Sequence, residues 1–173
     1  MTELDVSLRD VQDEDVRAFY EQQLDPVATA MAAFPSREWS VFEAHWERIR
    51  QVESNVMKTI VVNGDVAGNA ASFIQEEQRF VGYWLDRSYW GQGVATRAVS
   101  ALLLEVTARP LYAHVVEHNM GSRRVLEKNG FRLIGRECAE EGVVELLFQL
   151  GLARLWPTDS VRQRNRVRLR GAR

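Results

Sequence analysis

Residues 87–97 read Arg-Ser-Tyr-Trp-Gly-Gln-Gly-Val-Ala-Thr-Arg, and this stretch determines the fold prediction for the chain. It follows an apolar run at 80–85 and opens a stretch with helical periodicity. A strand that turns through glycines into a helix leaves several backbone N–H groups free at the helix start. Gly91 and Gly93 lack a Cβ, so an anion such as a pyrophosphate can approach the backbone closely. The stretch therefore predicts a phosphate-binding loop.

A second segment narrows the class of phosphate site. Farther along the chain, Asn119-x-x-Ser122 opens another helical stretch. A dinucleotide-binding Rossmann loop would have a third glycine where this chain has Thr96, although Glu117 could serve as its acidic residue. A P-loop is excluded, because no Gly-Lys-Ser/Thr sequence follows the glycines. For the first stretch alone, a glycine turn that only joins a strand to a helix is the structural alternative.

The two segments, with the Gly130-Phe131 pair that closes the second, resemble the GCN5-related N-acetyltransferases. The sequence Trp-Gly-Gln-Gly at 90–93 is most similar to the branch that resembles the ribosomal-protein N-terminal acetyltransferases. The resemblance covers residues 4–150 and implies an α/β (α+β) fold. In that fold a mixed, mostly antiparallel sheet of about seven strands is flanked by about four helices. The fourth and fifth strands are expected to splay apart.

Local patterns predict an element order that agrees with this fold. Asp13 and Ser40 are expected to cap two helices before the second strand. Asn63-Gly64 is a hairpin signal, and the helix that starts after Gly93 is expected to end at Pro110. Hydrophobic alternation and β-branched runs predict strands at 4–9, 57–63, 66–74, 79–85, 111–116, 131–138 and 143–150.

The resemblance also implies where a cofactor binds. In the family the glycine loop binds the pyrophosphate of coenzyme A, and the fourth strand runs beside the pantetheine arm. Trp90 stands where the family loop usually has glutamine or arginine, but backbone N–H groups supply most of the binding. Asn119 is also a good helix N-cap, so a purely structural role is its alternative. The implied cofactor contacts are Trp84, Leu85, Asp86, Gly91, Gln92, Gly93, Val94, Ala95, Thr96, Asn119 and Ser122.

Ser122 and His114 are the candidate catalytic residues. Many acetyltransferases have a tyrosine four residues beyond position 122 to protonate the leaving thiolate, and this chain has Leu126 there. Relatives with the Asn-x-x-Ser pattern are thought to use the serine, so we expect Ser122 to stabilise the thiolate; its alternative is a helix-capping role. His114 lies in the strand next to the cofactor strand, where it suits a general base or is a core histidine with satisfied hydrogen bonds. The other base candidates are Glu76, Glu77 and His118.

Bulk properties predict one domain with a tail. The chain is 46% hydrophobic and 27% charged, which is ordinary for a globular protein. Residues 151–173 hold seven arginines and one aspartate, so this tail carries a charge of +6 and residues 1–150 carry −8. No run approaches the ~18 apolar residues of a membrane span, and the acidic start lacks an export signal. We predict an acetyltransferase domain at 1–150, a flexible tail at 151–173 and a cytoplasmic location.

The expected reaction is direct transfer of an acetyl group from acetyl-CoA to a primary amine of a small molecule or a protein N-terminus. Cys138 is the single cysteine and lies away from both segments, which argues against a covalent intermediate. The three histidines lack zinc-type spacing, so no metal is expected. The alternative function is a catalytically weak acyl-CoA-binding module whose tail docks on nucleic acid. The tail is expected to be solvated. Its alternative partners are nucleic acid, the ribosome, the acidic domain and a second subunit in a homodimer.

Acceptor specificity is expected from the segment between the first strand and Met57. The negative charge of residues 1–150 favours a cationic amine. Aromatic residues at helical spacing usually belong to a core, and this is the alternative for most of the candidates. The candidate acceptor-pocket residues are Phe34, Trp39, His45 and Trp46.

Overall fold

A computed structural model describes residues 4–138 and 142–151 of the chain. Within these ranges it forms seven strands and five helices, with a short 3₁₀ turn at Arg87–Tyr89. The strands are β1 Val6–Asp10, β2 Val56–Val62, β3 Asp65–Gln75, β4 Gln78–Leu85, β5 Leu111–Val116, β6 Arg132–Cys138 and β7 Val144–Leu150. The helices are α1 Asp15–Gln23, α2 Pro26–Ala32, α3 Trp39–Arg50, α4 Val94–Glu105 and α5 Met120–Lys128.

The strands form one sheet in the order β1-β2-β3-β4-β5-β7-β6. β4 and β5 are parallel, and all other neighbours are antiparallel. The predicted mixed, mostly antiparallel sheet of seven strands is therefore confirmed. The helix count is one higher than predicted because Pro26–Ala32 forms a helix of its own. Pro26 has the fixed φ that suits a first helical turn, and the Asp25 carboxylate caps it by accepting from Val27 N at 2.9 Å.

Several predicted helix boundaries are wrong. Asp13 lies two residues before α1, and Ser40 is already the second residue of α3, so neither side chain caps its helix. α4 ends at Glu105, well before Pro110. Val106 leaves the helix with an extended backbone (φ −93°, ψ 90°) and is only 5% exposed, so burial of this side chain ends the helix before the proline can. The Asn63-Gly64 turn between β2 and β3 is confirmed, with both residues at positive φ.

Helices cover both faces of the sheet and divide the core. α4 and α5 pack on the face that carries Ile60, Val81 and Ala113. α1 and α3 pack on the other face through an aromatic cluster that includes Phe19 and Trp46, whose ring centroids are 4.7 Å apart. No helix in the described part of the chain is long and apolar enough to cross a membrane. The arginine-rich residues 152–173 lie outside the described residues, so the predictions for the tail stay predictions.

A buried carboxylate fixes α1 on the sheet. Asp15, at the start of α1, is 3% exposed and accepts hydrogen bonds from three sources. Arg9 of β1 donates to it with two guanidinium nitrogens, one of them at 2.8 Å from Oδ1. The Thr59 hydroxyl of β2 donates at 2.7 Å and the Gln12 backbone N–H at 2.8 Å. The network thus joins β1, β2 and α1 next to the helices that cover the candidate site.

Candidate active site

A gap in the sheet separates β4 from β5. The two parallel strands pair only at Arg79 with Leu111 and at Phe80 with Tyr112. Beyond Phe80, β4 continues to pair with β3 on its other edge, and β5 continues to pair with β7. The facing edges therefore carry backbone N–H and C=O groups that have no partner strand. The predicted splaying of the fourth and fifth strands is confirmed.

The glycine loop closes one end of this gap. Trp90 donates its indole N–H to the Leu85 carbonyl at 2.9 Å, which holds the loop against the end of β4. Gly91 and Gly93 have φ values of 74° and 77°, and a Cβ built on either would meet nothing within 4 Å. α4 then begins at Val94 with no side-chain cap. Open space therefore lies beside the free N–H groups of a helix start, as an anion site requires.

Trp84 and Leu85 at the end of β4, and Asp86 just after it, were predicted to contact the cofactor arm, and their backbone N–H groups have different directions. Asp86 donates its N–H to the Ala67 carbonyl at 2.8 Å, so it cannot donate to a ligand in the gap. Backbone groups alternate between the two edges of a strand. The backbone N–H and C=O groups of Trp84 are therefore directed towards β3, as those of Asp86 are. The backbone groups of Leu85 are directed towards the gap. By the same alternation Tyr83 also directs its backbone into the gap.

The start of α5 brings a serine and a tyrosine together. Asn119 accepts from the Ser122 N–H at 3.0 Å, so it is the N-cap of α5, as its structural alternative proposed. The Ser122 hydroxyl lies 2.6 Å from the Tyr83 hydroxyl of β4, and either oxygen can be the donor. Burial raises the pKa of Tyr83 to about 12, although the hydrogen bond to Ser122 opposes the shift, so the phenol stays protonated at neutral pH. Leu126, where relatives have a tyrosine, is 1% exposed in the core.

Sequence reasoning missed Tyr83. Its only signal was strand alternation, which places Tyr83 with Val81 and Leu85 on the α5 face of β4. The pairing with Ser122 joins residues far apart in the sequence, so no local pattern could reveal it. Position 126 in α5 holds leucine and not the expected tyrosine, and Tyr83 of β4 places a tyrosyl hydroxyl beside Ser122 instead.

His114 lies on the opposite face of the sheet. Its ring stacks on Phe80 with centroids 5.1 Å apart and planes 8° apart. Its Nδ1 is 3.6 Å from an oxygen of Glu145 on β7, and both side chains are 7% exposed. The other base candidates, Glu76, Glu77 and His118, are absent from the described lining of the cavity at this site.

That cavity has a volume of 160 Å³ and reaches from the gap to the α1–α3 face. Ser122, Tyr83 and His114 all line it, so the structure brings both predicted catalytic residues to one space. Of the predicted acceptor residues, Phe34 and Trp46 line the cavity. Trp39 packs on Tyr20, and the His45 Nδ1 lies 3.1 Å from the Arg48 guanidinium. Trp39 and His45 are not among the described lining residues. The described residues contain no group of three or more ligands that could hold a metal.

Comparison with known proteins places this site in a family. A family model described as an acetyltransferase (GNAT) domain matches residues 5–132. A segment of 60 residues is 40% identical to the probable N-acetyltransferase YjcK of Bacillus subtilis (strain 168). That segment covers 32% of this chain and about a third (33%) of the length of that relative.

Solved structures share the fold over nearly its whole length. One is an acetyl transferase from Salmonella typhimurium that modifies the N-terminal serine of the 50S ribosomal subunit protein L7/L12. It has a TM-score of 0.73 and 20% identity over 86% of this chain and 95% of that one. Another is aminoglycoside acetyltransferase AAC(6')-Ib in complex with coenzyme A, with a TM-score of 0.70 and 20% identity over 83% and 94%.

The family match covers most of the chain, and the described fold agrees with it. The match to the acetyltransferase (GNAT) domain confirms the predicted family resemblance and the predicted class of acetyltransferase, and the solved structures confirm the fold. The chain therefore belongs to the GNAT acetyltransferase family.

Proposed function

We propose that this chain transfers the acetyl group of acetyl-CoA to a primary amine in one step within a ternary complex. The observation that carries the proposal is the β4–β5 gap, which ends at an uncapped helix start and opens into the cavity lined by Ser122 and His114. The loop from Gly91 to Thr96 would hold the pyrophosphate with backbone N–H groups. Leu85, Asn119 and Ser122 would line the path of the pantetheine arm.

The arrangement suits direct attack by the amine. In the reaction a C–N bond forms at the acetyl carbonyl, the C–S bond breaks, the amine loses a proton and the thiolate gains one. A backbone N–H of β4 directed into the gap, such as that of Leu85, would stabilise the negative oxygen that develops. Cys138 cannot act as a covalent carrier, because it is exposed on the edge strand β6, beyond β5 and β7.

The two proton-handling groups would act from opposite faces of the sheet. Ser122, with Tyr83 behind it, lies on the α5 side and would protonate the leaving thiolate. His114, with Glu145 beside it, lies on the α1–α3 side and would accept the proton of the amine.

A thiol-release assay with acetyl-CoA and a panel of primary amines tests the proposal. We expect release of free CoA that depends on both substrates, with an acetylated amine as the product. Binding of acetyl-CoA without amine-dependent thiol release would contradict it and favour the catalytically weak binding module.

Replacing Gly93 with valine should weaken acetyl-CoA binding at least about tenfold, or ~1.4 kcal/mol. The valine side chain would occupy the open space beside the helix start, and its branched Cβ does not tolerate the positive φ of Gly93. Calorimetry measures the affinity. Gly64→Val is the matched control, because Gly64 has a φ of 94° and lies in the distant β2–β3 turn. Equal affinities in the two variants would exclude the loop as the pyrophosphate site.

Replacing His114 with glutamine should lower kcat about 10- to 100-fold, the usual effect of removing a proton-transfer group. Glutamine retains hydrogen-bonding atoms but cannot take up the proton. The acetyl-CoA affinity should stay near that of the wild type, which also shows that the gap is intact. His118→Gln, on the histidine whose Nε2 lies 3.2 Å from the Ala30 carbonyl, is the control. A kcat that is the same in both variants would assign His114 to the core alone.

A further inference from the structure

The part of the cavity on the α1–α3 face is called the acceptor side here. Its walls are aromatic, and its polar side chains carry no fixed charge. Phe19, Phe42 and Trp46 line it from the helices, and Phe73 and Phe80 line it from the sheet. Besides His114 and the indole of Trp84, the polar lining on this side consists of carboxamides from Gln23, Asn55, Asn69 and Gln75. Among the described lining residues there is no aspartate, glutamate, lysine or arginine.

Two small residues create the space between these walls. Ala71 of β3 and Gly82 of β4 are cross-strand partners, and both line the cavity. A Cβ built on Gly82 would already lie 3.6 Å from the Phe73 ring. Side chains larger than those of Ala71 and Gly82 would therefore fill the space at this floor of the cavity. The cavity as a whole, including its part in the β4–β5 gap, has a volume of 160 Å³, and its acceptor side is walled by aromatic rings. The space therefore suits an aromatic ring or a branched aliphatic chain.

Two arginines, Arg37 and Arg48, lie near the acceptor side of the cavity. The Arg37 guanidinium lies 4.9 Å above the ring of Phe34, which itself lines the cavity. Burial, together with Arg37 and Arg48, lowers the pKa of His45 to about 4, so this imidazole of α3 is neutral at neutral pH. An acceptor that carried extra ammonium groups would meet aromatic rings and arginines here. The carboxylates behind the −8 charge of residues 1–150 do not appear in the described lining.

We propose that the acceptor is a primary amine attached to an aromatic or branched apolar body, with no second cationic group. The inference rests on the acetyl transfer proposed above. The apolar body would pack between Phe73, Phe80 and Trp46, and the amine would face His114. A polyamine or an aminoglycoside would have to bury further ammonium groups with no carboxylate among the described lining residues, which is strongly unfavourable. The sequence-based expectation of a cationic amine is thereby narrowed to an amine with a single positive charge.

The test compares kcat/KM for 2-phenylethylamine, a short peptide that begins with phenylalanine, spermidine and tobramycin. We expect 2-phenylethylamine or the peptide to exceed both polycations at least about tenfold, the factor that 1.4 kcal/mol supplies. Which of the two is the better substrate tells a small-molecule acceptor from a protein N-terminus. A kcat/KM for spermidine or tobramycin equal to or above that of the apolar amines would overturn the inference and leave acetyl transfer standing.

Two variants connect the preference to this cavity. Asn69→Asp places a carboxylate in the lining without changing its size, so the ratio of kcat/KM for spermidine to that for 2-phenylethylamine should rise at least about tenfold. Asn63→Asp, in the exposed β2–β3 turn, adds the same charge outside the cavity and should leave the ratio unchanged. Ala71→Leu should fill the floor and lower kcat/KM for 2-phenylethylamine but not for ethylamine. An unchanged ratio in Asn69→Asp would contradict the location of the acceptor.

Binding measurements separate the inference from the proposed function. Calorimetry with the CoA-saturated protein gives the affinities of 2-phenylethylamine and spermidine even if no acetyl group is transferred. Absence of transfer to every amine would contradict the proposed function alone. Tighter binding of 2-phenylethylamine would then still support the acceptor class, and tighter binding of spermidine would overturn it.

Discussion

Replacing Asp15 with asparagine is expected to lower the free energy of unfolding by about 3 kcal/mol, the lower end of the range for a broken buried ion pair. The lower end applies because Arg9, the partner that loses its counter-charge, has a side chain that is 35% exposed. Asparagine keeps the shape but loses the charge. In either orientation of the amide, the NH₂ group would face a donor and lose a hydrogen bond. That donor is Arg9 in one orientation, and Thr59 with the Gln12 N–H in the other.

Urea denaturation measures the change, with equal m-values as the sign that the unfolding transition is the same. Asp13→Asn is the matched control, since Asp13 also pairs with an arginine, at 2.7 Å from Arg50, but its side chain is 92% exposed. An exposed pair of this kind is worth about 1 kcal/mol or less. A loss in Asp15→Asn no larger than that in Asp13→Asn would show that the network does not fix α1.

The same carboxylate predicts a pH dependence. Burial raises the pKa of Asp15, but the hydrogen bonds from Arg9, Thr59 and the Gln12 N–H outweigh it and leave the pKa below its ordinary value. The stabilisation by Asp15 is therefore fully present above its ordinary pKa of about 3.9 and is lost as the pH falls through the folded-state pKa. The difference in stability between wild type and Asp15→Asn should be constant near pH 7 and shrink in acid.

The sequence was sufficient where function depends on local geometry. The loop at Gly91 and Gly93 needs positive φ, and only glycine adopts it freely, so the residue type reveals the backbone. Asn119 was predictable as a cap because its side chain accepts from a backbone N–H only three residues away, which is also a local feature. The strands followed from alternation and β-branched runs, and the gap between β4 and β5 followed from the family resemblance.

The rest depends on contacts between distant segments. Several acids precede α1 in the sequence, and only the fold shows that Asp15, not Asp13, is buried against Thr59. Glu145 meets His114 because β7 pairs with β5, which no local pattern specifies. The charge that an acceptor meets cannot be read from composition for the same reason. Net charge counts every acid in the domain, whereas the acceptor meets only those that line the cavity.

Ser122→Ala should lower kcat about 10- to 100-fold, the usual range for loss of a proton donor, with little change in acetyl-CoA affinity. Tyr83→Phe should also lower kcat, by about tenfold, because it removes the hydroxyl that lies 2.6 Å from the Ser122 Oγ and keeps the partly buried ring. Tyr112→Phe is the control, since this buried tyrosine loses one hydrogen bond, from Gln149 at 3.1 Å. Its kcat should remain near that of the wild type.

The double variant distinguishes a proton relay from two separate contributions. If Tyr83 acts only through Ser122, adding Tyr83→Phe to Ser122→Ala should lower kcat no further, because the interaction it removes is already absent. A double variant whose loss equals the product of the two single losses would show that the hydroxyls act independently. A kcat unchanged in Ser122→Ala on a good acceptor would leave the serine as part of the start of α5. The thiolate would then have to take its proton from Tyr83 directly or from water.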